Sequence, residues 1–242
     1  ARIVAKIERS EAIPRLDEIV QASDAVMVAR GDLGIEVGYA ELTGLQKHIL
    51  QVARKHDRVT ITATQMMESM IQSPVPTRAE VSDVANAVLD GSDAVMLSGE
   101  SAVGKYPVRA VEAMSEVIVG AEKYQIARNI RGERFEGRVS EFAQAIAHAV
   151  MYTANHMAVE AIVALTESGA TPLWMSRIRS DIPIFAFTRN ERTRRRVALY
   201  RGVYPIPFDI THTDPAELYK AISRELIERK FLRSGDEIIL TL

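Results

Sequence analysis

Four times in its first 123 residues the chain repeats one alternation, a short β-branched run followed by an amphipathic helical stretch. Strands are expected at Arg2–Glu8, Asp24–Arg30, Arg58–Thr64 and Asp93–Ser98. Ser10 is positioned to N-cap the first helix, whose apolar positions are Ile13, Leu16, Ile19 and Val20, with Pro14 in its first turn. The second helix runs from about Ala40 to Lys55. Thr77-Arg78-Ala79-Glu80 has capping-box spacing and opens a third, with Val81, Val84, Ala85 and Val88 on one face. The fourth runs from Pro107 to about Lys123. Short strands joined by helices must run parallel, because each helix carries the chain back across the sheet. A complete (β/α)₈ barrel takes ~250 residues, so four units make half of one.

A polar stretch rich in Arg, Glu and Gly follows and reads as a linker over 124–137. Phe142 to about His156 is an expected helix with Phe142, Ile146 and Val150 in line. Strands at Ala161–Leu165, Pro183–Phe187, Gly202–Pro207 and Glu237–Leu242 then alternate with helices. The expected fold is therefore α/β: the second half of a (β/α)₈ TIM barrel over 1–123, then a smaller three-layer α/β C-terminal domain over 138–242.

With 47% apolar residues the chain can bury a sizeable core. Thirty basic and 32 acidic side chains nearly cancel, which argues against a dedicated nucleic-acid binder. No apolar run approaches the ~20 residues that span a bilayer, so no membrane partner is expected. The lack of cysteine excludes disulfides and thiolate metal sites and fits the cytoplasm. Ala1-Arg2-Ile3-Val4 has no signal-peptide shape and reads as the start of a buried strand in a chain cut from a longer one.

In parallel α/β folds ligands bind at the carboxyl ends of the strands. The first expected strand ends in Lys6-Ile7-Glu8, and residues two apart on a strand face the same way. Beyond the second come Arg30-Gly31-Asp32-Leu33-Gly34, beyond the third Thr64-Gln65, and beyond the fourth Ser98-Gly99-Glu100-Ser101. One mouth thus collects a lysine, several carboxylates, hydroxyls and glycine-flexed loops. Two carboxylates on neighbouring strands suit Mg²⁺, which shares its other positions with water and phosphate. The amides of Gly31 and Asp32 can receive an anion, and Lys6 brings a compact positive charge. Taken singly, these residues could equally be barrel salt bridges and turn formers; their convergence on four strand ends favours a site.

Met27-Val28-Ala29-Arg30-Gly31-Asp32-Leu33-Gly34 resembles the strand-and-loop signature of pyruvate kinases. So do Lys6-Ile7-Glu8, Ala63-Thr64-Gln65-Met66, Pro76-Thr77-Arg78-Ala79-Glu80 with Asp83-Val84-Ala85-Asn86-Ala87, and Leu97-Ser98-Gly99-Glu100 with Gly104-Lys105-Tyr106-Pro107. Thr166-Glu167-Ser168-Gly169 and Leu199-Tyr200-Arg201-Gly202-Val203 extend the likeness into the second domain. The resemblance is to the C-terminal half of a bacterial-type chain. It implies phosphoryl transfer from phosphoenolpyruvate to ADP, giving pyruvate and ATP in glycolysis. Glu8 and Asp32 would hold Mg²⁺ or Mn²⁺. Lys6 would stabilise the phosphoryl group in transit and the enolate. Gly31, Asp32 and Thr64 would hold the substrate carboxylate, and Thr64, Ser98 and Glu100 would lie near the water-linked path that protonates the enolate. It also implies a homotetramer when complete, and K⁺ whose ligands lie outside this chain, as does most of the nucleotide site. The isolated chain is accordingly expected to be inactive.

In the family the loop Thr166-Glu167-Ser168-Gly169-Ala170-Thr171 binds phosphorylated effectors. Here the allosteric candidates are Thr166, Ser168, Gly169 and Thr171, ahead of a helix with Pro172 at its first position. Glu167 and Ala170 bring no positive charge, which favours a sugar monophosphate or AMP over a doubly phosphorylated effector. An ordinary βα turn capped by Thr171 is the alternative. Arg189, Arg192, Arg194, Arg195 and Arg196 read as a solvated helix face, or Arg189 or Arg192 assists the effector. The five histidines have no metal-ligand spacing. Two other functions fit the same residues: a Mg²⁺-dependent lyase or aldolase of pyruvate-like substrates, and a non-catalytic regulatory or assembly module.

Overall fold

The computed structural model describes residues 2–127, 141–209 and 215–241. The chain divides into two compact units, one running to residue 130 and the other from residue 131. Residues 128–140, most of the expected linker, lie outside the described residues, and so does Leu242. No described helix is long and apolar enough to cross a membrane.

In the first unit, strands β1 (Val4–Ile7), β2 (Ala25–Ala29), β3 (Val59–Ala63) and β4 (Ala94–Met96) form one parallel sheet in chain order. Helices α1 (Leu16–Ala22), α2 (Arg30–Val37), α3 (Tyr39–Lys55), α4 (Arg78–Leu89), α5 (Gly99–Ala102) and α6 (Pro107–Ala127) fill the connections. Alternation assigns the sheet faces. Ile7, Val26 and Val28 pack with Leu16 and Val20 of α1 and with Ile49, Leu50 and Ala53 of α3. Lys6 and Glu8 therefore stand on the opposite face, beside Met27 and Ala29. A second cluster joins Met66, Met67 and Met70 to Val84 and Ala87 of α4 and Ala110 and Met114 of α6. All three loop methionines are fully buried, each contributing about 1.5–3 kcal/mol relative to exposure.

Four local expectations need correction. Ser10 does not cap a helix: the segment Ser10–Arg15 is a 3₁₀ turn preceded by Arg9 without a side-chain cap, and the Ser10 hydroxyl donates to Glu36. Pro14, which lacks an N–H, lies inside that turn, and α1 begins only at Leu16. Arg30 is not the end of the second strand, nor Gly31–Gly34 a loop: α2 starts at Arg30. On α4 the capping box of Thr77 and Glu80 is present, but the buried stripe is Val84, Ala87 and Val88; Val81, in the first turn, is exposed. Helix α6 runs on to Ala127, into the expected linker.

In the second unit, α7 (Phe142–His156) precedes β5 (Ala161–Leu165), α8 (Ala170–Ser176), β6 (Ile184–Thr188), α9 (Glu191–Val197), β7 (Val203–Pro207), α10 (Pro215–Glu228) and β8 (Ile238–Thr241). The strands form a parallel sheet in the order β7-β6-β5-β8. Ile222 and Leu226 of α10 pack on Ala161, Val163, Phe185 and Phe187, one face of the sheet. By alternation Ile162, Ala164, Ile184 and Ala186 face the other way; α8 packs against β6, and α9 against β6 and β7. Helix α7 buries Ala147, Met151 and Ala154, not the Phe142–Ile146–Val150 line, and Phe142 is 84% exposed. The two stripes differ by a rotation of one residue, and the one with alanines lets α7 approach its neighbour α8 closely.

Gly104 closes α5: its N–H donates to Gly99 O, and the next amide, Lys105, donates to Ile71 O. A Cβ at Gly104 would stand 2.4 Å from the Glu100 carbonyl oxygen. Backbone there cannot give way, so Gly104→Ala should destabilise the first unit by about 1–3 kcal/mol, read as a lowered urea midpoint at unchanged slope.

Candidate active site at the strand ends

The register brings the candidate residues level. Ile7 pairs with Val28, Ala29 with Ala63, and Ala63 with Met96, so Glu8 lies in the row of Ala29, Ala63 and Met96. One step further stand Arg30 and Thr64.

Lys6 Nζ lies 2.5 Å from Glu8 Oε2. The close contact with Glu8 and its charge raise the Lys6 pKa above its ordinary value, with desolvation opposing and the Asp32 charge adding to the rise. Lys6 is thus held protonated between two carboxylates, with about half its side chain open to solvent. Glu8 Oε2 is itself buried, and its contact with the ammonium lacks hydrogen-bond directionality. A buried carboxylate oxygen without a directed donor suits a hard cation. Among the described residues no three or more His, Cys, Asp or Glu gather as a metal site. Around this pair Arg9 bonds Glu11 and reaches Glu36 of α2, tying the exit of β1 to α2. The Arg9 hydrogen bonds hold the Glu11 carboxyl at about 2.

Gly31 and Asp32 occupy the first turn of α2, where backbone N–H groups have no partner within the helix. Gly31 N–H instead donates to Thr64 Oγ1 at 2.7 Å, and the Thr64 hydroxyl donates to Ala63 O at 2.6 Å. Two groups expected to hold a carboxylate therefore hold each other. Thr64 and Gln65 are consecutive non-glycine residues in the left-handed region, at φ 67° and 53°. For β-branched Thr64 this is a real outlier, and such strain costs about 1–3 kcal/mol. It persists because Arg30, 5% exposed, grips the turn: Nη2 donates to Thr64 O at 2.9 Å and to Gln65 O at 3.0 Å, while Nη1 pairs with Asp83 of α4 at 2.8 Å. Arg30 carries no role among the expectations from sequence. The signal available is a charged residue directly after a strand that is itself wholly apolar.

Ser98 and Glu100 stand apart from the Lys6 group. Glu100 is 3% exposed, and its oxygens accept from Met67 N–H at 3.0 Å and Ser98 N–H at 2.7 Å. It fastens the exit of β4 to the segment after Thr64, and neither residue hydrogen-bonds Lys6 or Glu8.

In the second unit the chain leaves β5, builds β6 and β7 on one side and returns as β8 on the other, so its topological switch point lies at β5. The loop after β5 is closed on itself: Gly169 N–H donates to Thr166 Oγ1, Ala170 N–H to Ser168 Oγ, and Thr193 Oγ1 donates to Glu167 O. The helix cap is Gly169, at φ 79°, and not Thr171; α8 begins at Ala170, and Pro172 is its third residue. Arg189 pairs with Glu167, and the arginine lying over the loop is Arg196, whose Nη2 would be 2.9 Å from a Cβ at Gly169.

This is a (β/α) barrel segment with the Lys6–Glu8 pair and the start of α2 at its strand ends, followed by a separate parallel α/β unit. Residues 1–111 match the family model described as pyruvate kinase, barrel domain, and residues 144–242 the one described as pyruvate kinase, alpha/beta domain. The chain belongs to the pyruvate kinase family. It is 52% identical, over its whole length, to a pyruvate kinase of Buchnera aphidicola subsp. Baizongia pistaciae and to pyruvate kinase II of Salmonella typhimurium, covering 51% of each. A crystal structure of a pyruvate kinase from Cryptosporidium parvum superposes with a TM-score of 0.89 at 36% identity, over 99% of this chain and 49% of that one. The chain thus spans about half the length of the curated relatives it matches. A pyruvate kinase match on each unit disfavours the lyase or aldolase alternative.

Proposed function

We propose that this chain supplies the enolate-handling part of a pyruvate kinase active site, and that the full-length protein transfers the phosphoryl group of phosphoenolpyruvate to ADP. The observation that carries this reading is Lys6, protonated and paired with Glu8 beside Asp32, at the strand ends where α2 presents its first-turn amides. The substrate carboxylate takes the Gly31 and Asp32 N–H groups, with the Thr64 hydroxyl turning its proton from Ala63 O to the carboxylate. The bond from phosphorus to the enol oxygen breaks as the ADP β-phosphate oxygen bonds to phosphorus. Lys6 neutralises the phosphoryl oxygens in transit and the enolate oxygen left behind. Glu8 and Asp32 would hold Mg²⁺ or Mn²⁺, which would supply further neutralisation of phosphate and enolate charge. The enolate carbon then takes a proton through a water path beside Thr64 and Ser98, and Glu100 holds the Ser98 backbone in place.

The protein works in this reading as a homotetramer in the cytoplasm, in glycolysis, with K⁺ bound by residues outside this chain. The test is ³¹P NMR of the full-length protein with phosphoenolpyruvate, ADP, Mg²⁺ and K⁺. ATP should accumulate as phosphoenolpyruvate disappears; loss of phosphoenolpyruvate without ATP would overturn the reading.

We further propose that the loop Thr166–Thr171 binds the phosphate of a sugar monophosphate or AMP, its amides exchanging internal hydroxyl partners for phosphate oxygens, with Arg196 adding charge. Coupling between such sites is typically ~5–150-fold in affinity. Ser168→Asp puts a negative charge in the loop and should abolish the effector-induced fall in KM for phosphoenolpyruvate while leaving unactivated kcat near wild type. Saturation curves with and without effector read this directly.

A further inference from the structure

Arg30 is a buried cation with a fixed set of partners. Its side chain is 6% exposed, and it spends one edge of the guanidinium on Asp83 and the other on the carbonyls of Thr64 and Gln65. Nε reaches Thr64 O a second time, at 3.3 Å. Those two carbonyls belong to the two consecutive residues with positive φ, and the hydroxyl of the first sits on Gly31 N–H. Arg30 and Gly31 are adjacent, so one residue grips the turn from behind while the next receives its hydroxyl in front. A planar fork with several donors can hold two successive carbonyls and a carboxylate at once; a lysine ammonium on a flexible stem cannot fix the same geometry.

We propose that Arg30, anchored by Asp83, is the positioning residue that holds the Thr64–Gln65 turn left-handed and so sets the Thr64 hydroxyl and Gly31 amide at the spacing a substrate carboxylate needs. The inference rests on the reading of the site as a carboxylate-binding one. Arg30 itself does not touch the substrate. Released from the fork, Thr64 relaxes toward the β-region, and its hydroxyl leaves Gly31.

The test uses the full-length protein with Arg30→Lys, Arg30→Ala and Asp83→Asn. In Arg30→Lys, KM for phosphoenolpyruvate should rise about 10-fold or more, while KM for ADP stays within about twofold, because only the carboxylate contacts are displaced. Asp83→Asn should move the same constant in the same direction by less. In Arg30→Ala, millimolar methylguanidinium should restore phosphoenolpyruvate affinity and methylammonium should not. Binding of oxalate with Mg²⁺, measured by calorimetry, should weaken in parallel, which needs no turnover. A wild type that binds oxalate but makes no ATP would defeat the kinase reading and leave this one standing. Phosphoenolpyruvate KM and oxalate affinity unchanged in Arg30→Lys and Arg30→Ala would overturn the positioning role, as would equal rises in both KM values, or a wild type that binds no oxalate.

Discussion

Asp32→Asn and Glu8→Gln are each expected to lower kcat of the full-length protein at least ~100-fold, because in the proposed site each weakens a metal ligand and removes its charge. Neither should unfold it: Asp32 is exposed and Glu8 is half-buried at the sheet mouth. Glu8→Gln carries a second signature. The close contact with Glu8 and its charge are the chief reason the Lys6 pKa is raised. Without them the Lys6 pKa falls, so the pH at which Lys6 loses its proton moves down. The alkaline limb of the residual activity should shift to lower pH in Glu8→Gln, and by less in Asp32→Asn, whose charge is the smaller cause. Steady-state rates across pH measure both. Near-normal kcat in both variants would remove the carboxylates from the site.

Lys6→Met should lower kcat by ~10²–10³, the scale found when one fixed donor to a developing oxyanion is lost. Methionine keeps the length of the side chain and deletes its charge. In the proposed mechanism Lys6 serves both the phosphoryl group in transit and the enolate, so both half-reactions should fall together. Thr64→Ala should behave differently. It leaves Lys6 in place and removes the hydroxyl between carboxylate and proton path, so the fold should persist and kcat drop. Single-turnover phosphoryl transfer set against proton exchange separates the two variants.

Much of this was legible because periodicity and strand ends carry the information. The helix-facing residues of β1 and β2 and the shared face of Lys6 and Glu8 follow from alternation alone. Two glycines in four residues signal a loop at Gly31–Gly34, whereas the segment is held as a helix by its neighbours: Leu33 is fully buried and Arg30 is tied to α4. The strain at Thr64 and Gln65 was invisible, since nothing in a threonine and a glutamine announces positive φ. It follows from contacts 34 and 35 residues distant along the chain. The exposed face of α7 was misread for a simpler reason: Phe, Ile and Val outrank alanine in hydrophobicity, but alanine decides how closely a helix can pack.

Exchange of the pyruvate methyl protons with solvent tests the central claim most directly, because it isolates the enolate from the nucleotide chemistry. In D₂O with Mg²⁺, K⁺ and ATP, the full-length wild type should erase the methyl signal in the ¹H NMR spectrum, and removal of Mg²⁺ by chelation should stop it. Lys6→Met should leave the signal intact over the same time. Loss of the signal at the wild-type rate in Lys6→Met and Asp32→Asn alike would mean that the enolate is stabilised by groups other than those gathered at these strand ends.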